Sequence, residues 1–335
     1  MNSTTGMMHA TERSQLEETF AVLITAMLMP LILVGNLLVM TSYKINHRLR
    51  TRTYTFLVNL AVSDLIVGGI NIPLWLSCII NYDRCSSYKT FVKIFKIFDL
   101  FGAYASIFHL TAISIERYIA VVRPYSFQQL RQKSFYIVSV FAWSLSLLMA
   151  SLSWFSASHF NLKIYNVAIF LLGFALPAAI VVSMYFGIFK AAKSLALRTP
   201  VFPQNGRKNQ MIMREDRKVA VTVAVISGLF IIAWLPFFIL SIIAAFCFEC
   251  FPANATDTLR IVTSVKWLHY SNSMVNPIVY ALRDEEMRNT FKKILKIKTC
   301  YGQLRNRSRK HSEKIISELR SLGKHSSPEE MDGEK

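Results

Sequence analysis

Residues 19–52 read TFAVLITAMLMPLILVGNLLVMTSYKINHRLRTR. The part from 19 to 43 carries no charged side chain, and Lys44, Arg48, Arg50 and Arg52 follow at once. A bilayer core of about 30 Å needs about 20 apolar residues in a helix. The run is long enough to cross, and a basic cluster directly after a crossing marks its cytoplasmic flank. Working outward from this stretch, the pattern recurs. Further hydrophobic runs occupy 54–81, 89–122, 134–156, 163–195, 213–246 and 258–282. In hydrocarbon the backbone must satisfy its own hydrogen bonds, so helices are the expected form. The third run holds Lys93, Lys96, Asp99, Glu116 and Arg117 and is predicted to be a buried, central helix.

Composition agrees. Of 335 residues, 53% are hydrophobic and 17% are charged, and the mean hydropathy is +0.36. Soluble domains are about a quarter charged. A water-soluble enzyme, a disordered protein and a fibrous protein are therefore excluded as classes. The net charge of +18 would suit nucleic acid. However, most of the 38 Lys and Arg residues fall in alternate connections or in the tail. That alternation is the positive-inside pattern, and it directs the basic excess to anionic lipid and a cytoplasmic partner, not to nucleic acid. Five cysteines are too few for a disulfide scaffold.

The connections after the first, third and fifth runs are basic, as is the tail; the others carry few basic residues, for example Arg84, Lys89 and Lys163. The expected class is an all-α membrane protein, a seven-transmembrane helix bundle plus a short C-terminal interfacial helix. Residues 1–18 form an extracellular N-terminus without the marks of a signal peptide. Residues 19–283 form the membrane domain. Residues 284–298 form an amphipathic helix, with Met287, Phe291, Ile294 and Leu295 on one face and Lys292, Lys293 and Lys296 beside it. Cys300 is a candidate palmitoylation site, and 299–335 is a disordered cytoplasmic tail. Sequons at Asn2 and Asn254 both fall outside. No internal repeat suggests an inverted-repeat transporter.

Charges inside a membrane are costly and point to function. Asp64 and Asp99 both lie within hydrophobic runs. Asp99, Ala103, Ser106, Ile107, Leu110 and Arg117 recur at helical spacing along one face. The stripe joins an outer anion to an inner cation. Trp234, Phe237 and Phe238 share a face of the sixth run, and Trp267 and Tyr270 lie three apart in the seventh. A carboxylate with aromatic walls suits a small organic cation. An aromatic packing layer is the alternative, and a cation path through Asp64 and Asp99 would be the mark of a transporter or channel.

At this point the chain resembles the rhodopsin-like (class A) G-protein-coupled receptors over nearly its whole length. The first run has Gly-Asn-Leu-Leu-Val around Asn36, and the second Leu-Ala-Val-Ser-Asp ending at Asp64. The third ends Ser-Ile-Glu-Arg-Tyr, Ser114 to Tyr118, a variant of the family's Asp-Arg-Tyr. The fourth has Trp143, the fifth Pro177 and Tyr185, the sixth Ala-Trp-Leu-Pro-Phe-Phe from Ala233, and the seventh Asn-Pro-Ile-Val-Tyr from Asn276 to Tyr280.

The resemblance implies roles. Glu116 holds Arg117 in the inactive state, and Asp216 is a second partner for Arg117. Asp64, Ser106, Asn272 and Asn276 match a sodium pocket, and no other cofactor is expected. Pro177, Ile107 and Phe230 match a packing switch; Tyr118, Tyr185 and Tyr280 belong to the cytoplasmic switch. Within the family the match leans to aminergic receptors. Asp99 falls where those hold the ligand ammonium, with Ala103, Trp234, Phe237, Phe238, Trp267 and Tyr270 around it. The implied partners are an extracellular small molecule, an amine in the first place, a heterotrimeric G protein, arrestin, receptor kinases acting on tail serines such as Ser308 and Ser312, and membrane lipid. The implied location is the plasma membrane.

Three departures keep alternatives open. Val92 stands where the family's bridging cysteine is expected, and the loop from Ala157 to Lys163 has no cysteine. Cys247 and Cys250 either pair with each other or stay free. A lipid or peptide ligand is the alternative that a missing bridge suggests, and a receptor signalling without a ligand is another. Lys96 lies about one turn above Asp99, and Lys266 about one turn above Tyr270. Each lysine either neutralises Asp99, attracts an anionic part of a ligand, or reaches out to water. His269 replaces a glycine usual in aminergic receptors and is expected to crowd Tyr270.

Overall fold

A computed structural model describes residues 15–80, 89–159, 162–197, 206–252 and 254–296. Among them every regular element is helical. Seven long helices follow the order of the hydrophobic runs. These are α1 (Gln15–Ile45), α2 (Arg52–Ile80), α3 (Lys89–Val122), α4 (Gln132–His159), α5 (Leu162–Phe170, extended by Leu176–Leu197), α6 (Gly206–Phe246) and α7 (Ala255–Arg283). A short α8, Glu285–Ile294, follows and buries Met287, Thr290 and Phe291. It is briefer than the stretch 284–298 expected for it. Asn2, Cys300 and residues 299–335 lie outside the described residues.

Several hydroxyl side chains inside the helices bond to their own backbone. Thr25, Ser114 and Ser146 each donate to the carbonyl four residues back, at 2.7, 2.7 and 2.6 Å. Such back-bonding lets polar residues sit in an apolar helix without an orphaned group.

Helix α3 is central. It packs against α2, α4, α5 and α6. Five of the helices are apolar enough to cross a membrane by length and composition, and α3 and α7 are not among them. Much of their polar content is buried instead, including Asp99, His109, Glu116 and Arg117 on α3 and Lys266, His269, Asn272 and Asn276 on α7.

Two joints set the packing. Pro277 interrupts α7, and its missing N–H leaves the Ser273 carbonyl, four residues back, without its helical donor. Asn36 of α1 donates Nδ2 to that carbonyl at 3.0 Å. Gly35 makes the approach feasible, because a Cβ there would lie 2.9 Å from Pro277 Cγ. The second joint is a pair of π-helical turns, Val67–Asn71 in α2 and Leu171–Ala175 in α5. Each one rotates the helix that follows relative to a regular helical face. In α5 the turn brings Gly173 against α3, where a Cβ would sit 2.4 Å from Tyr104 Cε1. Trp143 Nε1 ties α4 to Asn59 Oδ1 of α2 at 2.9 Å.

Candidate functional site

Near the start of α3, Asp99 forms a salt bridge with Lys266 of α7. Both are buried, at 4% and 6% exposure. Four rings surround the ammonium. Lys266 Nζ lies 5.1 Å from the ring centre of Phe95, 5.4 Å from Phe237, 5.7 Å from Tyr270 and 5.8 Å from Trp75. Phe95 is one turn before Asp99 on α3, and Tyr270 one turn after Lys266 on α7. Trp75 comes from α2 just past its π turn and stacks on Phe95, with ring centres 5.9 Å apart. A desolvated ammonium needs a counter-charge, and ring faces add electrostatic attraction. The site is thus built for a cation, and a side chain of the protein itself fills it. Asp99 Oδ1 makes no close hydrogen bond among the described residues, and the Tyr270 hydroxyl faces the same carboxylate.

An aromatic layer continues from the cage. Trp234 lies 5.7 Å from Phe237, 6.2 Å from Phe238 and 5.7 Å from Phe230, centre to centre. Phe238 stacks on Phe174 of α5 at 4.6 Å. His269 is held against Trp234, with ring centres 3.5 Å apart, and lies 4.9 Å from Tyr270. Neither His269 nitrogen meets a partner among the described residues. Ala103 is buried in the same core.

The structure therefore brings Asp99, Phe237 and Tyr270 together, with Trp234 and Phe238 joined through Phe237. It does not bring Trp267. That indole donates to Thr25 Oγ1 of α1 at 2.9 Å and packs edge-on against Phe20. The partner of Asp99 is Lys266 and not Lys96, whose exposed side chain reaches over the Tyr165 ring at 5.4 Å. Sequence reasoning passed over Phe95 and Trp75. Phe95 had a signal, since it shares the face of Asp99. Trp75 had none, because the π turn resets the face it presents.

Deeper in the bundle Asp64 is fully buried and accepts from Asn276 Nδ2 at 2.8 Å. Ser106 and Ser63 share a hydrogen bond at 3.0 Å. The Ser273 side chain also faces the Asp64 carboxylate, and Asn272 Oδ1 lacks a partner among the described residues. Oxygen donors with one negative charge suit a hard monovalent or divalent cation.

At the other end of α3, Arg117 grips its neighbour. Its Nε donates to Glu116 Oε2 at 2.6 Å, and Nη2 to Oε1 at 2.5 Å. Thr53 of α2 adds bonds to the same carboxylate at 3.0 and 3.2 Å. Glu116 and Arg117 are both buried. Tyr118 lies against Gly187 of α5, where a Cβ would be 2.5 Å from its ring. The Ser114 and Tyr185 hydroxyls share a hydrogen bond at 3.3 Å. Pro177, Ile107, Phe230 and Tyr280 are buried. The side chain of Asp216 lies outside the described residues.

Cys247 and Cys250 are joined, with Cα atoms 5.3 Å apart. Cys78 at the end of α2 is also disulfide-bonded, a link that the sequence reading did not foresee. Asn254 is exposed and caps α7, its Oδ1 accepting from Thr256 N at 3.0 Å.

This architecture has named relatives. The 7 transmembrane receptor (rhodopsin family) profile matches residues 35–280. The octopamine receptor beta-2R of Chilo suppressalis is 27% identical over 79% of this chain and 77% of its own. The histamine H2 receptor of Cavia porcellus is 32% identical over 81% of this chain and 79% of its own. The trace amine-associated receptor 13c of Danio rerio is 30% identical over 84% and 87%. The chain belongs to the rhodopsin family of seven-transmembrane receptors. It is a G-protein-coupled receptor embedded in a membrane, and not an enzyme.

Proposed function

We propose that this receptor stands in the plasma membrane, N-terminus outside, and binds a small organic amine at Asp99. The observation that carries the proposal is the buried carboxylate with a cation already seated on it among four rings. A ligand ammonium satisfies the same carboxylate by a charge-assisted hydrogen bond and the same rings by cation–π attraction. The amine names of the relatives support this reading. Trp234 and Phe230 connect the ligand level to the core below.

Binding acts through differential affinity for two arrangements of the bundle. The Glu116–Arg117 pair is the element held in one of them. When the arginine is released, Arg117, Tyr125, the connection between α5 and α6, and α8 engage the G protein. Tyr125 is 77% exposed, as such a contact requires. Asp64, Ser106, Asn272 and Asn276 would hold a sodium ion that favours the closed arrangement. Asn2 and Asn254 are glycan acceptors, Cys300 is a lipid anchor, and the tail serves receptor kinases and arrestin. The exit of residues 1–18 to the outside and 284–335 to the cytoplasm follows the loop charges.

The test is a second-messenger assay in cells with a library of amines, some bearing a carboxylate as well. The expected result is a response in the wild type that Asp99→Ala removes, with surface expression unchanged. Silence to every amine, or a response that survives the substitution, would overturn the proposal.

A further inference from the structure

Lys266 is the feature that the amine reading leaves unexplained. A plain cation site needs only Asp99 and rings. Here the protein has placed a second charge in it, buried to 6% exposure and enclosed by residues of four helices: Trp75, Phe95, Phe237 and Tyr270. The pair is neutral as it stands. A ligand with a single positive charge would leave two cations sharing one carboxylate in a space with little water. Like charges at such range disfavour each other strongly when desolvated.

Two observations indicate how a ligand enters without that cost. Asp99 Oδ2 is taken by Lys266, while Asp99 Oδ1 is buried and makes no close hydrogen bond among the described residues, with the Tyr270 hydroxyl also facing the carboxylate. The carboxylate thus has an acceptor left for a second ammonium. Lys266 has three N–H donors, and one carboxylate oxygen occupies one of them. A molecule bearing both an ammonium and a carboxylate would close a ring of alternating charges: Lys266, Asp99, ligand ammonium, ligand carboxylate. Each charge then has an opposite neighbour on both sides, and the site stays neutral.

We infer that Lys266 selects the ligand of this receptor, and that the ligand class is a small aromatic amine that also carries a carboxylate, a zwitterion of the amino-acid type. The aromatic requirement follows from the layer below the pair, where Trp234, Phe237 and Phe238 offer ring faces and edges. The two nitrogens of His269, beside Trp234 and Tyr270 and without partners among the described residues, provide further polar contacts for such a ligand. This inference rests on the amine reading above and narrows it.

Matched pairs that differ only by the carboxylate test it: tyrosine against tyramine, tryptophan against tryptamine, histidine against histamine. They are applied to the full-length receptor in cells, as wild type, Lys266→Met and Lys266→Arg, with surface expression measured for each. In the wild type, one carboxylated member is expected to be more potent than its decarboxylated partner by about 100-fold, as an uncompensated buried charge implies. Lys266→Met should reverse the order, weakening the zwitterion and strengthening the monoamine. Lys266→Arg should keep it. A merely structural lysine would move both members the same way. A wild type that prefers the monoamine, or a preference that Lys266→Met leaves unchanged, overturns the zwitterion inference and leaves the amine reading intact. Silence of all three receptors to both members of every pair overturns both.

Discussion

Helix α3 carries two buried charge pairs, one near each end, and they are built differently. Asp99 reaches across to Lys266 on α7, so that pair joins two helices that belong to different parts of the bundle. Glu116 bonds its own sequence neighbour, Arg117, and among the described residues Thr53 of α2 adds a link to another helix. The first pair is a clamp between helices, and breaking it removes a tertiary link. The second is a latch between neighbours in sequence, so opening it frees a side chain of the same helix. The same chemistry therefore makes a recognition site at one end and a releasable element at the other. The distinction lies in which backbone each partner belongs to.

The largest effect should come from breaking the clamp on one side only. Asp99→Leu leaves an ammonium buried without a counter-charge and should cost about 3–5 kcal/mol, read as a lower Tm of the purified receptor in detergent. Adding Lys266→Met should restore most of that loss, because an apolar pair of similar volume replaces a buried ion pair at little cost. If the double variant is as unstable as the single one, the two residues are not coupled and the clamp is not what the geometry indicates.

The latch should respond differently. Glu116→Gln keeps the shape but removes the charge that grips Arg117. A hydrogen bond to a charged group contributes about 1.5–3 kcal/mol, so the population with a free arginine should rise about tenfold or more. Basal second-messenger output should increase while Tm falls less than for Asp99→Leu. Unchanged basal output would mean that Arg117 is restrained elsewhere.

The smallest effect is expected at Trp267, which the sequence assigns to the ligand and the structure turns toward α1. Trp267→Phe removes the bond to Thr25 and should cost about 1 kcal/mol. Ligand potency should stay within about twofold, since the indole hydrogen bond runs to α1 and not to Asp99 or Lys266. A potency loss of tenfold or more would put Trp267 back in the site.

Much of the fold was legible because membrane physics leaves few choices. Apolar runs of bilayer length must be helices, and charge alternation orders the loops. The starts and ends moved by several residues, as with α6, whose helix begins at Gly206, before the apolar run at 213. The site was legible in part. Asp99 lies in a regular helical stretch of α3, where spacing reports direction, and Phe237 belongs to the Trp234, Phe237 and Phe238 face that spacing marks on α6. Trp75 follows a π turn, and no 3.6-residue rule survives that insertion. Trp267 lies on a helix interrupted by Pro277, and spacing alone could not say which neighbour it faces.

By itself, the sequence determined the helical class, the helix order, the presence of costly charges in the membrane and the family motifs that mark them. These follow from local composition and periodicity, which act along the chain. Only the tertiary structure decided that Lys266, and not Lys96, answers Asp99. Both lysines lie within reach of that level by length alone. The choice depends on how α7 is set against α3. On its other side α7 is held to α1, by Asn36 meeting the carbonyl freed by Pro277 and by Gly35 letting the helices close. Such contacts link residues more than two hundred positions apart. No property of either stretch taken alone encodes them.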